Sequence, residues 1–325
     1  MKTGVIGGGA WGTALAQVAA QSGETLLWAR EPEVVSSIAE RRENALFLPG
    51  VTLSDAIRPT GRIEDLADCE LLLVVTPAQH MRSVLAAAPR CAGALLLCSK
   101  GIEEASGQLL HQVAHDACPD ARVMVLSGPT FAHEVAAGLP TALTLAAADQ
   151  HFAEQVRARL ALPAFRIYLT DDLAGAEVGG AIKNVLAIAC GVVEGRGLGQ
   201  NARAALIARG FAEMTRFGLA RGARLETLAG LSGLGDLVLT CSSTASRNFS
   251  LGKGLGEGRP AQQLMADRRT VAEGAFTAPV LRRLAEGEGI EMPIVAAVDD
   301  LLAGRAGVEE VLERLLSRPL RTERA

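Results

Sequence analysis

The 325-residue sequence predicts an α/β protein, with a doubly wound sheet over residues 1–170 and an all-helical domain over residues 171–325. Three observations predict it. Short apolar β-type runs alternate with helical patterns as far as Leu169, as parallel βαβ units require. After Thr170 the strand-like runs stop and long Ala/Leu/Val periodicity of helical type takes over. A glycine turn, Gly7-Gly8-Gly9-Ala10-Trp11-Gly12, stands between the first strand and the first helix.

The strand candidates run from Thr3 to Ile6, Thr25 to Trp28, Glu70 to Val75, Ala94 to Cys98, Arg122 to Leu126, Thr141 to Leu145 and Phe165 to Leu169. Helices such as Thr13 to Gln21 and Gln108 to Ala117 connect them. Asp171-Asp172 fits a helix cap at the domain border, with the apolar segment Leu173 to Val193 behind it. The charged tail from Arg318 lacks periodicity and is expected to fray.

Composition narrows the function. Aromatics are only 3% of the chain and the net charge is −4, so neither base stacking nor a polyanion-binding surface is supported, and no nucleic acid is expected as partner. The six cysteines show no CxxC pair and no metal-ligand spacing, so a reducing compartment and no metal are expected. The N-terminus passes from Lys2 straight into a strand, which leaves no room for a signal peptide. No apolar run is expected to reach the roughly 20 residues that cross a bilayer. The reading is a cytosolic protein.

The glycine turn fits G-x-G-x-x-G in the context its mechanism needs. Gly7 permits the tight turn, Gly9 lets backbone N–H groups approach a pyrophosphate, and Gly12 lets helix and strand pack closely, with the helix N-terminus facing the anion. Rossmann-type sheets hold dinucleotides this way, with Ala10 and Trp11 inside the turn. At the end of the second strand stand Arg30 and Glu31. A guanidinium there suits the 2′-phosphate of NADP, so NADP is favoured slightly over NAD, while Glu31 would suit a ribose hydroxyl. A solvated Arg–Glu pair is the alternative.

Lys183 is the best acid/base candidate in the chain. It lies in the apolar helical segment Gly179-Gly180-Ala181-Ile182-Lys183-Asn184, where burial would disfavour its charged form. A lysine snorkelling at a helix end is the alternative. Lys100 follows a strand at the carboxyl edge of the sheet, where open α/β folds bind ligands. Gly128-Pro129-Thr130-Phe131 is another turn after a strand, able to hold an oxyanion with its N–H groups and hydroxyl. Asp236 is a carboxylate in a glycine-rich apolar stretch and would need a cation if buried, or would cap a helix. Ser246-Arg247-Asn248 combines a planar guanidinium fork with two neutral donors, a grip suited to a phosphate dianion.

Over nearly its whole length the chain resembles bacterial NAD(P)-dependent glycerol-3-phosphate dehydrogenases. The resemblance rests on seven blocks in order: GAWGTALA (9–16), SKGIE (99–103), SGPTFAHE (127–134), GGAIKNV (179–185), GQNARAAL (199–206), GLSGLGDLVLTC (230–241) and SRNF (246–249). It implies reversible reduction of dihydroxyacetone phosphate to sn-glycerol 3-phosphate, the backbone of glycerophospholipids. By resemblance Lys183 is the proton acceptor, with Asn184 ordering the site and Asp236 belonging to the substrate site beside Lys183. Lys100 and Arg247 then contact both substrate and cofactor, Gly128 and Thr130 the substrate, and Ala132, Val271 and Glu273 the cofactor. The expected partner is a small phosphorylated substrate, with a homodimer left open. Two rivals remain at this point: a related dehydrogenase of a 3-hydroxy acid or ketopantoate-like substrate, and a non-catalytic dinucleotide sensor.

Two further features are discounted. His111 and His115 share a helix face at metal-ligand spacing but lack a third ligand, so a solvated face is expected. The run Gly252-Lys253-Gly254-Leu255-Gly256-Glu257-Gly258 imitates a second nucleotide loop without a preceding strand, and a mobile connection is expected there.

Overall fold

The computed structural model describes residues 1–89, 93–266 and 272–319. Its strands are β1 (Thr3–Ile6), β2 (Thr25–Trp28), β3 (Ile57–Thr60), β4 (Leu71–Val74), β5 (Ala94–Leu97), β6 (Arg122–Ser127), β7 (Thr141–Ala147) and β8 (Phe165–Thr170). They form one sheet in the order β3-β2-β1-β4-β5-β6-β7-β8, parallel except where β6 meets β7. Val5 of β1 lies opposite Leu27 of β2 and Leu73 of β4, so the chain leaves β1 at the point where the strand order reverses.

Both faces of this sheet are covered, which is why its central strands are continuous apolar runs. In β4, Leu71 and Leu73 enter one core while Leu72 and Val74 enter the other. In β5, Ala94 and Leu96 divide from Leu95 and Leu97 in the same way. Seven strands lie where the sequence places them. The eighth, β3, was missed because Ile57-Arg58-Pro59-Thr60 buries only one side chain and contains a proline. An edge position tolerates both.

The helices are α1 (Ala10–Ala19), α2 (Pro32–Arg41), α3 (Met81–Ala87), α4 (Leu110–Ala117), α5 (Ala132–Ala136), α6 (Gln150–Leu160), α7 (Leu173–Gly195) and α8 (Gly199–Ala220). They continue as α9 (Leu225–Leu228), α10 (Asp236–Thr240), α11 (Arg247–Gly256), α12 (Ala261–Leu264), α13 (Glu273–Gly287), α14 (Pro293–Leu302) and α15 (Val308–Leu316). No strand follows β8 among the described residues. The chain forms two compact units. One comprises Met1–Gly180 and Gly218–Asp236, the other Ala181–Phe217 and the described part of Leu237–Ala325. The chain therefore leaves the sheet-bearing unit inside α7 and returns to it before α10.

Asp172 caps α7 as expected, its Oδ1 accepting the Gly175 N–H at 2.8 Å. Its Oδ2 accepts the backbone N–H of Arg224 at 2.8 Å, tying the returning segment to the start of the helix. Contrary to expectation, α7 is long and apolar enough to cross a bilayer by length and composition, at 23 residues. Its apolar window is 94% buried inside the protein, so it is a core helix.

In the second unit α7 and α11 approach backbone to backbone. A side chain at Gly191 or Gly195 would overlap the carbonyls of Phe249 or Lys253, and one at Gly252 would overlap the carbonyl of Ile188. The Gly252–Gly258 run is thus not a mobile connection: most of it is helix, and Gly252 and Gly256 are there to let α7 in. Elsewhere in this unit the buried Glu213 carboxylate accepts the N–H groups of Ile294 and Val295 at 2.8 and 3.2 Å, closing the N-terminus of α14. Burial pushes the Glu213 carboxyl up to about 7 against the pull of those hydrogen bonds.

Gly252→Ala should lower stability by about 2 kcal/mol, the cost of overpacking a closed contact. Gly287→Ala should be neutral or slightly stabilising, because a methyl at that last turn of α13 meets open space. Urea denaturation of the two variants measures the contrast, and equal midpoints would contradict the packing argument.

Candidate active site

The glycine turn closes over the carboxyl end of β1. Gly7 has φ +124, open to glycine and strained for other residues, and a side chain there would lie 2.9 Å from the Val75 carbonyl. A side chain at Gly12 would overlap the Gly7 carbonyl. Gly9 differs: a Cβ built on it meets nothing within 4 Å. It is also the N-cap of α1, where no side chain caps the helix and no acid occupies the first turn. Unpaired N–H groups and open space coincide there, as a pyrophosphate requires. Ala10 and Trp11 are half-buried, and the Trp11 Nε1 is a buried donor without a partner, so the residues present fit a dinucleotide.

Arg30 at the end of β2 is exposed and donates to Glu31 Oε1 at 3.1 and 3.3 Å, the solvated pair weighed as the alternative. Such a surface pair is worth little.

At the carboxyl ends of β5 and β6 the first unit gathers a second group of residues. The Lys100 Nζ donates to Asp236 Oδ2 at 2.6 Å and to the Gly128 carbonyl at 3.2 Å. The Asp236 side chain is fully buried and that of Lys100 is 14% exposed. Asp236 is the first residue of α10 and is reached through a π-helical turn, Leu231–Gly235, a form common at functional sites. Lys100 is thus a cation of the kind expected for a buried Asp236. Gly128, at φ +151, could not carry a side chain without pressing on Leu143 at 3.0 Å. Thr130 Oγ1 also donates to the Gly128 carbonyl, at 3.4 Å, and Ala132 opens α5. In α7, Gly180 leaves room for the Ser127 hydroxyl and the Lys100 stem, which a Cβ would meet at 3.2 and 3.3 Å.

The second unit holds the remaining predicted residues. Lys183 is 5% exposed and donates to Thr240 Oγ1 at 2.9 Å, so it is not a snorkelling surface lysine. Asn184 Oδ1 accepts from Asn248 Nδ2 at 3.0 Å, and Asn248 Oδ1 accepts the Gly274 N–H at 2.9 Å. This fixes the start of α13, whose first residue is Glu273. Ser246 is the N-cap of α11, its hydroxyl accepting the Phe249 N–H at 3.3 Å, while Arg247 beside it is exposed. Val271 lies outside the described residues.

One expectation is corrected and one residue was missed. His111 is not on a solvated face: its Nδ1 lies 2.6 Å from Glu177 Oε2, and its backbone N–H donates to Glu177 Oε1 at 2.8 Å. Burial opposes its imidazolium, yet the Glu177 hydrogen bond and charge prevail and leave its pKa raised. Thr240 had no assigned role. The available signal was its place one helical turn after Asp236 in the GLSGLGDLVLTC block.

An uncapped helix behind an open glycine turn, at the strand-order reversal of a mostly parallel sheet, defines the class: dinucleotide-binding proteins of Rossmann type. Family models narrow it. Residues 2–153 match the N-terminus, and residues 172–313 the C-terminus, of NAD-dependent glycerol-3-phosphate dehydrogenase. The chain belongs to this family. It is 63% identical to the glycerol-3-phosphate dehydrogenase (NAD(P)+) of Erythrobacter litoralis, over 98% of this chain and 97% of the relative. With the protein of the same name from Novosphingobium aromaticivorans it shares 64% identity over 99% and 98%. Among solved structures, glycerol-3-phosphate dehydrogenase from Coxiella burnetii is similar at a TM-score of 0.93 and 35% identity, covering 98% of this chain and 99% of that one.

Lys100→Met, which removes the ammonium beside the buried Asp236 carboxylate, should cost about 3 kcal/mol of stability. Adding Asp236→Asn should restore much of that loss. Guanidinium denaturation of the single and double variants tests the pair, and a fully additive double variant would show that the two residues are not coupled.

Proposed function

We propose that the protein interconverts dihydroxyacetone phosphate and sn-glycerol 3-phosphate, with Lys183 carrying the proton. The observation that supports this most is the placement of Lys183: a side chain 5% exposed in a helix of glycines and apolar residues, its Nζ donating to the Thr240 hydroxyl at 2.9 Å. A buried proton donor held in one place is what reduction of a ketone needs at its oxygen.

A nicotinamide dinucleotide held by the Gly7–Gly12 turn would supply the hydride to C2 in reduction and accept it in oxidation. As C2 gains the hydride, the Lys183 ammonium passes a proton to the developing alkoxide. In oxidation the Lys183 amine takes the hydroxyl proton back. Lys100, fixed by Asp236 and the Gly128 carbonyl, orients the substrate oxygen with an N–H still to give. Gly128 and Thr130 hold the substrate from the turn after β6, and Asn184 orders the neighbourhood of Lys183. Arg247 grips the phosphate. The Ser246 hydroxyl and the second N–H of Asn248 assist, since the cap at Ser246 uses only a lone pair and the Asn248 bonds use one N–H.

The dinucleotide is assigned to residues 1–170 through Gly7, Gly9, Ala10, Trp11, Gly12, Arg30, Lys100 and Ala132. The family resemblance supports Arg247, Val271 and Glu273 as further dinucleotide ligands, and assigns substrate binding to residues 171–325. NADP is taken slightly in preference to NAD through Arg30. The product supplies the glycerophospholipid backbone. The buried thiols of Cys98 and Cys190, without disulfides, suit a reducing cytoplasm, and a homodimer is the assembly to test.

Oxidation of NADPH and NADH with dihydroxyacetone phosphate tests the activity, with unphosphorylated dihydroxyacetone as the poor substrate. Lys183→Ala should leave dinucleotide binding nearly intact and lower turnover by about 10²-fold or more. An undiminished rate removes Lys183 from the mechanism.

A further inference from the structure

We propose that Asn44 is a positioning residue for the dinucleotide: its buried amide holds the Gly8–Gly9 peptide so that the Gly9 N–H faces the pyrophosphate. The inference rests on the reading that the glycine turn binds that group.

Asn44 lies 36 residues beyond Gly8 and is fully buried. Its Nδ2 donates to the Gly8 carbonyl at 2.8 Å and to Thr13 Oγ1 at 2.7 Å, and the Thr13 hydroxyl in turn donates to the Gly8 carbonyl at 3.4 Å. Its Oδ1 accepts the Phe47 N–H at 3.1 Å. Both N–H groups and the carbonyl of one side chain are thus committed, two of the three bonds reaching the turn or the first turn of α1.

The segment that presents Asn44 is itself anchored. Ser37 Oγ donates to the Glu43 carbonyl at 2.6 Å, Glu43 Oε1 accepts the Gly50 N–H at 2.7 Å, and the Arg42 guanidinium holds Asp55 at 2.6 and 2.8 Å. Asn44 is therefore a fixed point against which the turn is held.

The consequence follows from peptide geometry. In a trans peptide the C=O and the next N–H point in opposite directions. Holding the Gly8 carbonyl inward on Asn44 turns the Gly9 N–H away from Asn44, while the space a Gly9 side chain would take is open. With glycine on both sides, this peptide has little steric resistance to rotation, since neither residue carries a Cβ. Rotated by half a turn, it would aim a carbonyl at the phosphates. The Asn44 amide and the Thr13 hydroxyl supply the restraint that the glycines lack.

The test is fluorescence titration of the full-length variants with NADPH and NADH, alongside turnover at saturating dinucleotide. Asn44→Ala should raise the dissociation constant of both dinucleotides about tenfold or more, the effect of losing one to two hydrogen bonds. The KM for dihydroxyacetone phosphate at saturating dinucleotide should stay within about twofold of wild type. Should Asn44→Ala fail to fold, Thr13→Val weakens dinucleotide binding in the same direction, and Thr13→Ser, which keeps the hydroxyl, restores it. Gly9→Val separates the two layers of the argument. Loss of binding in Gly9→Val with unaltered affinity in Asn44→Ala and Thr13→Val overturns the inference alone. Retained binding in Gly9→Val overturns it together with the reading beneath it. A lowered melting midpoint for Asn44→Ala with unaltered dinucleotide affinity shows a merely structural asparagine and also overturns it.

Discussion

Close backbone approach along α7 is the constraint on which the rest depends. In the first unit, side chains at Gly175 and Gly179 would overlap the Asp172 carboxylate and the Ser232 carbonyl, and one at Gly180 would press on Ser127 and the Lys100 stem. In the second unit, Gly191 and Gly195 admit α11 in the same manner. A helix with this many glycines has poor intrinsic propensity, and packing has to compensate. The window that supplies the compensation is 94% buried. Lys183 and Asn184 follow Gly179 and Gly180 by one helical turn, so the residues that fix the helix and those proposed to serve the reaction lie in adjacent turns of one element.

Charge is treated consistently in the interior. Asp236 meets Lys100, Glu177 meets His111, and Glu213 meets the N-terminus of α14. Such groups are expensive to bury and are weak evidence for stability, but each fixes one geometry. For the Lys100–Asp236 pair that geometry includes the Gly128 carbonyl, so the post-β5 and post-β6 turns and the start of α10 are held in one register. Folding energy is exchanged there for a preset orientation of an ammonium at the carboxyl edge of the sheet.

Most of the architecture was legible in the chain because a sheet buried on both faces writes itself as continuous apolar runs, as Leu71–Val74 and Ala94–Leu97 do. The edge strand Ile57–Thr60 escaped because half-exposed edges carry no such run. The Gly252 run was misread since glycine marks both loose loops and tight helix crossings, and only the partner helix distinguishes them. His111 was misread because its partner, Glu177, is 66 residues away, and Asn44 went unnoticed because its acceptors are a backbone carbonyl and a hydroxyl far upstream. Local pattern reveals which residues are apolar or flexible, whereas these roles depend on what the fold brings opposite them. The return of Gly218–Asp236 to the sheet-bearing unit belongs to the same category.

The most direct test of the α7 constraint is turnover of dihydroxyacetone phosphate by Gly180→Ala, measured beside its dinucleotide affinity and melting midpoint. A methyl at 180 would force the Lys100 stem to move by a few tenths of an ångström, and misplacement on that scale is enough to cost rate. Turnover should fall about tenfold in a protein whose melting midpoint is kept. Wild-type turnover in a folded Gly180→Ala protein would contradict the claim that the bare face of this helix sets the lysine at the sheet edge.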